Sequence, residues 1–157
     1  MRNIGIAIID DESLVRLGIK SSVAWEEYGY EIVGEADNGQ TGLEMIREKH
    51  PDIVLLDVCM PVMNGIEVLK SLQKLKIQCK VIILSCHDDF CFVKEAMKNG
   101  AFDYLRKNEI NSANILTVLE EVRHSLCKKQ DEGQGGWDSY ARHVCLHLSL
   151  IHISEPT

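Results

Sequence analysis

The stretch Ile53-Val54-Leu55-Leu56-Asp57 is an uninterrupted apolar run that ends in a carboxylate. An earlier run, Ile4-Gly5-Ile6-Ala7-Ile8-Ile9, ends in the same way, at Asp10 and Asp11. Apolar runs of this length, rich in branched side chains, are typical of strands buried on both faces of a parallel sheet. If the two strands are neighbours, their carboxylates converge at one edge of the sheet. Crowded like charges are unfavourable unless a cation or a shared proton relieves them.

Strand-like and helix-like patterns alternate along the chain. Strands are predicted near residues 4–9, 31–35, 53–57, 80–85 and 102–105, and helices near residues 12–24, 39–49, 65–75, 89–98 and 112–128. This alternation predicts an α/β fold in which helices cover both faces of a five-stranded parallel sheet. Right-handed crossovers then restrict the topology to a doubly wound sheet.

The composition predicts one folded domain. The chain has 157 residues, of which 45% are hydrophobic, so an ordinary core is expected. A formal net charge of −7 argues against a broad nucleic-acid-binding surface. The first apolar run is shorter than the apolar region of a signal peptide and ends in acidic residues, and no run has the length of a membrane span. We therefore expect a cytoplasmic protein that makes no membrane contact.

The character of the sequence changes near its C-terminal end. Residues 128–136 are charged and then glycine-rich, which is typical of a linker. Residues 137–157 are too few for a second core. We therefore predict a domain over residues 1–127, a linker over residues 128–136 and a truncated or non-native tail over residues 137–157. The segment Leu148–Thr157 resembles a translated sequencing adapter, and the alternative is a short native β-type segment.

The six cysteines form no CxxC pair. We expect reduced and mostly buried thiols, because a cysteine without a partner packs as a small hydrophobic residue. The best zinc candidate, His143-Val144-Cys145-Leu146-His147, has a spacing that fits no ordinary ligand pattern.

Polar residues follow four of the five predicted strands. They are Asp10, Asp11, Asp57, Ser85 and Lys107. In an open α/β sheet the working site lies beyond the carboxyl ends of the strands. The three carboxylates suit Mg²⁺, which prefers oxygen ligands. The expected reaction is attack of the Asp57 carboxylate on phosphorus, giving an acyl phosphate, with a hydrogen bond from Ser85 and with Lys107 as a point charge on the opposite side of Asp57.

Several motifs together closely resemble the receiver domain of bacterial two-component response regulators. They are Ile8–Glu12, Pro51–Asp57, Met60-Pro61 with Asn64-Gly65, Val81–Ser85 and Ala101–Lys107. The resemblance implies a flavodoxin-like sheet of order 2-1-3-4-5. It also implies that Asp57 is the phosphoacceptor for a sensor histidine kinase. Asp11 and Asp57 would bind Mg²⁺ directly together with the backbone carbonyl of Cys59, and Asp10 would act mainly through a metal-bound water.

The same resemblance implies a conformational switch. Ser85 matches the switch hydroxyl, Lys107 the phosphate-pairing lysine, and Tyr104 the aromatic residue whose rotamer follows the switch. Phosphorylation would draw Ser85 and Lys107 inward and let Tyr104 turn into the vacated space. The surface formed by the fourth helix, the fifth strand and the fifth helix would then favour a homodimer or a new partner.

Two local features qualify the resemblance. Receivers usually carry proline after the lysine, whereas this chain has Asn108, so we predict a trans Lys107–Asn108 bond and an altered loop. The segments Trp25–Tyr30 and Ser85–Phe90 resemble the subgroup that carries an AraC-type helix-turn-helix output domain. That output domain is absent from this chain, and DNA would be contacted only through it.

Three functions are considered. The leading hypothesis is the receiver of a DNA-binding transcription regulator, which is a signalling module and not an enzyme. The alternative is a stand-alone receiver that acts by protein–protein contact. An aspartate-nucleophile phosphatase is the third, but that family needs a second Asp two residues after the nucleophile, where this chain has Cys59.

Overall fold

A computed structural model describes residues 2–86 and 90–128. The strands are β1 (Ile4–Ile9), β2 (Tyr30–Ala36), β3 (Ile53–Asp57), β4 (Lys80–Ser85) and β5 (Asp103–Arg106). The helices are α1 (Ser13–Ser22), α2 (Gly39–Lys49), α3 (Gly65–Lys74), α4 (Phe90–Lys98) and α5 (Ser112–Lys128). Every predicted strand and helix is therefore present, with shifts of a few residues at some ends.

Two short 3₁₀ turns were not predicted. They cover Trp25–Tyr28 and Lys107–Glu109. Both are too short to produce the helical periodicity from which the longer elements were predicted. The second turn follows directly from β5, and the peptide bond between Lys107 and Asn108 is trans, as predicted.

The five strands form one sheet of order β2-β1-β3-β4-β5, and all four strand pairs are parallel. The predicted fold class and strand order are thereby confirmed. The three central strands are buried almost throughout, which explains their continuous apolar sequences. The edge strand β5 instead alternates between buried and exposed residues. Because all strands run the same way, the ends of β1, β3, β4 and β5 meet at one edge of the sheet.

The main core lies between the sheet and its helices. Its largest fully buried side chains include Ile9, Leu56 and Ile83 from the central strands. From α5, Ile115 and Leu119 are also buried, so the apolar stripe of that helix packs as core. The core thus holds the carboxyl edge of the sheet as a rigid base for the polar residues above it.

The prediction that most cysteines are buried is wrong for the described residues. Cys59, Cys86, Cys91 and Cys127 are exposed, and Cys79 is partly buried. Cys59 and Cys86 lie just beyond strand ends, where apolar runs no longer indicate burial, and the other two lie on outer faces of helices.

The chain divides into two units, Met1–Arg123 and His124–Thr157. The first contains the whole sheet. Of the second, only residues 124–128 are described, and they are helical. The predicted linker from residue 129 onward, the tail over residues 137–157 and the zinc candidate at residues 143–147 lie outside the described residues. So does the segment 87–89 of the subgroup motif. Within residues 2–86 and 90–128, no helix combines the length and apolar character needed to cross a bilayer.

Candidate functional site

Three acidic residues form the turn that follows β1. One carboxylate oxygen from each of Asp10, Asp11 and Glu12 lies within 4.8 Å of the others. Asp10 is fully buried, whereas Asp11 and Glu12 are exposed. The backbone N–H of Glu12 donates to Asp10 Oδ1 at 2.8 Å, which fixes the buried carboxyl group at the start of the turn.

Glu12 was not predicted as a site residue. Its signal was present in the run Asp10-Asp11-Glu12, but an acid at a helix start is usually explained by its favourable interaction with the helix N-terminus. The structure shows that Glu12 makes no side-chain cap to α1. Its carboxylate instead faces the same small volume as those of Asp10 and Asp11.

Asp57 ends β3 and is buried, with 2% of the residue exposed. Its Oδ1 accepts the backbone N–H of Cys59 at 3.2 Å. The start of α3 packs against the same strand end, where Gly65 N–H donates to the carbonyl of Val58 at 2.9 Å. A Cβ at residue 65 would lie 2.5 Å from the Asp57 carbonyl oxygen, so only glycine permits this approach. The carboxylate of Asp57 is therefore held at a defined place on the sheet edge.

Lys107 joins these carboxylates. Its Nζ lies 2.9 Å from Asp10 Oδ2, 3.1 Å from Glu12 Oε1 and 3.2 Å from Asp57 Oδ2, and its side chain is 11% exposed. The predicted placement of the ammonium on the side of Asp57 away from the other carboxylates is therefore wrong. β5 does lie on that side of β3, but the long stem carries the charge across to the crowded acids, where Coulomb attraction is greatest.

The burial of these groups changes their acidity. Burial raises the pKa of Asp57, the charge of Asp10 raises it further, and Lys107 lowers it only partly. Burial likewise raises the pKa of Asp10. Burial acts in the opposite direction on Lys107, but its pKa is raised overall by the facing carboxylates of Asp10, Asp57 and Glu12. The lysine is therefore a permanent cation between acids that resist ionising together.

The other predicted site residues surround this group. Ser85 ends β4 and is buried, in register with Arg106 of β5 and therefore one residue from Lys107. Tyr104 lies two residues earlier on β5 and is 42% exposed. Cys59, whose carbonyl was predicted as a ligand, lies beside Asp57, because its backbone N–H donates to the Asp57 carboxylate. The structure thus brings the predicted residues to one edge of the sheet, with the aromatic ring on its outer side.

The donor set fits a hard divalent cation. Within the described part of the chain, Asp10 Oδ2 and Asp57 Oδ2 are buried and receive no hydrogen bond, and each meets the Lys107 ammonium as an ion pair. Buried carboxylate oxygens with spare lone pairs are the ligands that Mg²⁺ prefers. Residues that could hold the ion are Asp10, Asp11, Asp57 and the carbonyl of Cys59, to which the structure adds Glu12.

Comparison with known proteins agrees with this geometry. The model of the response regulator receiver domain family matches residues 6–120. The uncharacterized transcriptional regulatory protein YesN of Bacillus subtilis is 38% identical over 126 residues, which cover 80% of this chain and 34% of YesN. The transcriptional regulatory protein HptR of Staphylococcus aureus is 32% identical over 127 residues, covering 81% of this chain and 49% of HptR. The chain thus spans between a third and a half of the length of these relatives.

Solved structures show the same fold. The receiver domain of AraT, a response regulator from Geobacillus stearothermophilus, superposes with a TM-score of 0.74 at 30% identity, covering 81% of this chain and 98% of that domain. The receiver domain of a response regulator named NarL from Mycobacterium tuberculosis gives a TM-score of 0.71 at 29% identity, covering 78% of this chain and 98% of that one. With the acidic edge, the strand order and the family match in agreement, this chain belongs to the response regulator receiver domain family.

Proposed function

We propose that Asp57 accepts a phosphoryl group from the phosphohistidine of a sensor histidine kinase. The observation that carries this is a buried carboxylate at the sheet edge with a lysine ammonium 3.2 Å from one of its oxygens. A carboxylate oxygen of Asp57 attacks phosphorus, the P–N bond of the phosphohistidine breaks, and its electron pair stays on the imidazole, which takes up a proton. The product is an acyl phosphate on Asp57.

The surrounding residues have distinct roles in this proposal. Lys107 is already held beside Asp57 and would pair with the phosphoryl oxygens, while Ser85 would donate a hydrogen bond to one of them. Asp11, Asp57 and the Cys59 carbonyl would hold Mg²⁺, with Asp10 acting mainly through water. When bound, Mg²⁺ would cancel the repulsion between the acceptor carboxylate and the incoming phosphate.

The face of α1 beside the acidic turn supports a helical kinase partner. Leu14 and Leu17 are 80% and 57% exposed, and a Cβ on the nearby Gly18 would meet no atom within 4 Å. Two apolar side chains with a bare backbone patch one turn from the acidic residues form a suitable contact for another helix. We propose that the kinase docks its phosphohistidine helix there, which would bring the phosphohistidine to Asp57.

The output of the switch is proposed to be a homodimer. Phosphorylation would draw Ser85 and Lys107 toward the phosphoryl group and let Tyr104 turn inward. The exposed Phe92 on α4 and Tyr104 on β5 belong to the face of α4, β5 and α5 that would change. A more favourable contact between two such faces would then increase dimerisation.

The downstream action is proposed to be transcription control in the cytoplasm. The support is that YesN and HptR are named as transcriptional regulatory proteins and are longer than this chain. DNA would be contacted only through an output domain, and the receiver would be a stoichiometric acceptor and not a turnover enzyme. A stand-alone receiver acting by protein contact remains the alternative.

Incubation with acetyl phosphate and Mg²⁺, followed by intact mass measurement, tests the acceptor role. We expect one phosphoryl group on the wild-type chain, none on Asp57→Ala and none after chelation of Mg²⁺. Phosphorylation that persists in Asp57→Ala would overturn the assignment of the acceptor. Phosphorylation that is insensitive to chelation would overturn the role of the metal. Repeated turnover of a phosphate ester that Asp57→Asn abolishes would instead indicate a phosphatase.

A further inference from the structure

Arg16 on α1 contacts the backbone of the acidic turn, which is formed by Asp10, Asp11 and Glu12. Its Nη1 donates to the backbone carbonyl of Asp10 at 2.5 Å, and its Nε donates to Glu35 Oε1 of β2 at 3.2 Å. The Arg16 side chain is only 16% exposed. Lys20 holds the second oxygen of Glu35 at 2.5 Å. The pKa of Glu35 is lowered, mainly by its hydrogen bond with Lys20 and further by the one with Arg16, so the Glu35 carboxylate is ionised.

The start of α1 lacks the side-chain cap that α2 and α3 have. α2 and α3 each begin with an asparagine whose side chain caps a backbone N–H at 2.9 Å, from Asn38 and Asn64 respectively. Glu12 at the start of α1 makes no such cap. The hydrogen bond from Arg16 to the Asp10 carbonyl is not a cap, because a cap accepts from the N–H groups of the helix, but it does link the first turn of α1 to the acidic turn.

This turn is under electrostatic load. The carboxylates of Asp10, Asp11 and Glu12 lie within 4.8 Å of one another, and the Lys107 ammonium pairs with only two of them, so their repulsion is only partly relieved and tends to open the turn. A small divalent cation demands near-ideal ligand geometry, and an opened turn would not supply it. The planar guanidinium can bond a carbonyl and a carboxylate at once, which the single ammonium of a lysine does less well.

We propose that Arg16 is a positioning residue that sets the affinity of the acidic turn for its divalent cation. This inference rests on the metal part of the proposed function. By Coulomb's law alone, the positive charge of Arg16 would weaken the binding of a second cation nearby. The proposed positioning role has the opposite effect, because it strengthens that binding.

The sign permits a decisive experiment on the full chain. Mn²⁺ binding is measured by electron paramagnetic resonance for wild type, Arg16→Met, Arg16→Lys and Lys20→Met. Lys20→Met is the matched control, because it removes one positive charge from the same Glu35 but leaves the Asp10 carbonyl contact intact. We expect Arg16→Met to weaken Mn²⁺ binding by about tenfold, the loss typical when a residue that orients metal ligands is removed. The Mn²⁺ affinity of Arg16→Lys should lie between those of wild type and Arg16→Met. Lys20→Met should bind Mn²⁺ as tightly as wild type or more tightly.

Each outcome decides the question. Equal or tighter Mn²⁺ binding by a folded Arg16→Met would overturn the positioning role and leave the proposed function intact. Wild type that binds no Mn²⁺ would overturn the metal part of the proposed function and this inference with it. If Arg16→Met fails to fold, Arg16→Lys decides: a partial loss of affinity supports positioning, and wild-type affinity overturns it. Hydrogen exchange of the backbone amides of residues 10–12 should accelerate in Arg16→Met but not in Lys20→Met.

Discussion

Two aspartates at the two ends of β3, Asp52 and Asp57, differ in how well their carboxylates are paired with donors. At the amino end, Asp52 Oδ2 accepts the backbone N–H of Gly5 at 2.9 Å, and its Oδ1 pairs with Arg2 at 3.1 Å. At the carboxyl end, Asp57 Oδ2 receives no hydrogen bond from the described residues and faces a like charge on Asp10. The first carboxylate is matched to its donors and stabilises the fold. The second shares the Lys107 ammonium with Asp10 and Glu12, so its charge is only partly compensated, which disfavours the fold but leaves its oxygens available for chemistry.

The largest effect is expected from Asp57→Asn. Phosphorylation by acetyl phosphate should disappear, because the amide has no nucleophilic carboxylate oxygen. At neutral pH the free energy of unfolding of the variant should also exceed that of the wild type, by on the order of 1 kcal/mol. The raised pKa of Asp57 means that its ionised form is disfavoured in the folded state, and asparagine removes that cost. Intact mass and urea denaturation measure the two effects. Lower stability of this variant would contradict the view that the charge of Asp57 is only partly compensated.

Lys107→Met should test the cation that holds the acidic edge together. It leaves the buried carboxylates of Asp10 and Asp57 without their ion-pair partner. Breaking such a group costs roughly 3 kcal/mol of unfolding free energy. Added Mg²⁺ should recover part of that loss by binding the same oxygens. Denaturation with and without Mg²⁺ measures this, and exposed Lys98→Met is the control, with almost no change expected. Equal stability of the two lysine variants would show that Lys107 is not needed to hold this edge.

Asp52→Ala should give the converse result at the amino edge. It removes the acceptor for the Gly5 N–H and should lower the unfolding free energy by about 1–2 kcal/mol. Phosphorylation of Asp57 should proceed at the wild-type rate, because the site lies at the other end of β3. Asp52→Asn keeps one acceptor oxygen and should lose less stability. Slow phosphorylation of a folded Asp52→Ala would mean that the two edges are coupled.

The smallest effect is expected at Val62, in the loop that follows β3. Val62 has a φ of 69°, and Met63 N–H donates to the Pro61 carbonyl at 2.8 Å across it. A β-branched residue in this region is strained by about 1 kcal/mol or more. Val62→Gly should therefore raise the unfolding free energy slightly, by about 0.5 kcal/mol after the entropy of glycine in the unfolded chain is subtracted. The same substitution at Val33 in β2 should lower it. A loss of stability at both positions would mean that the Val62 loop stores no strain.

Much of the fold could be read from local patterns. The runs before Asp10 and Asp57 predicted the central strands because residues buried on both faces leave an unbroken apolar record. Glu12 was missed because a carboxylate at a helix start is sufficiently explained by its interaction with the helix N-terminus, and its true neighbours depend on the conformation of the turn. Arg16 was missed because an arginine on an amphipathic helix reads as a solvated residue. Both are recognised only through contacts with residues that the sequence does not pair with them.

The sequence by itself determined the five strands and the five longer helices, with their ends to within a few residues, and that carboxylates follow two of the central strands. Hydrophobic periodicity is a local property, so local residues suffice to encode it. Only the tertiary structure decided that the Lys107 ammonium lies among Asp10, Glu12 and Asp57, and that Arg16 supports their turn. These placements depend on the direction of long flexible side chains in the summed field of charges from distant parts of the chain. That field exists only once β1, β3 and β5 are assembled in one sheet.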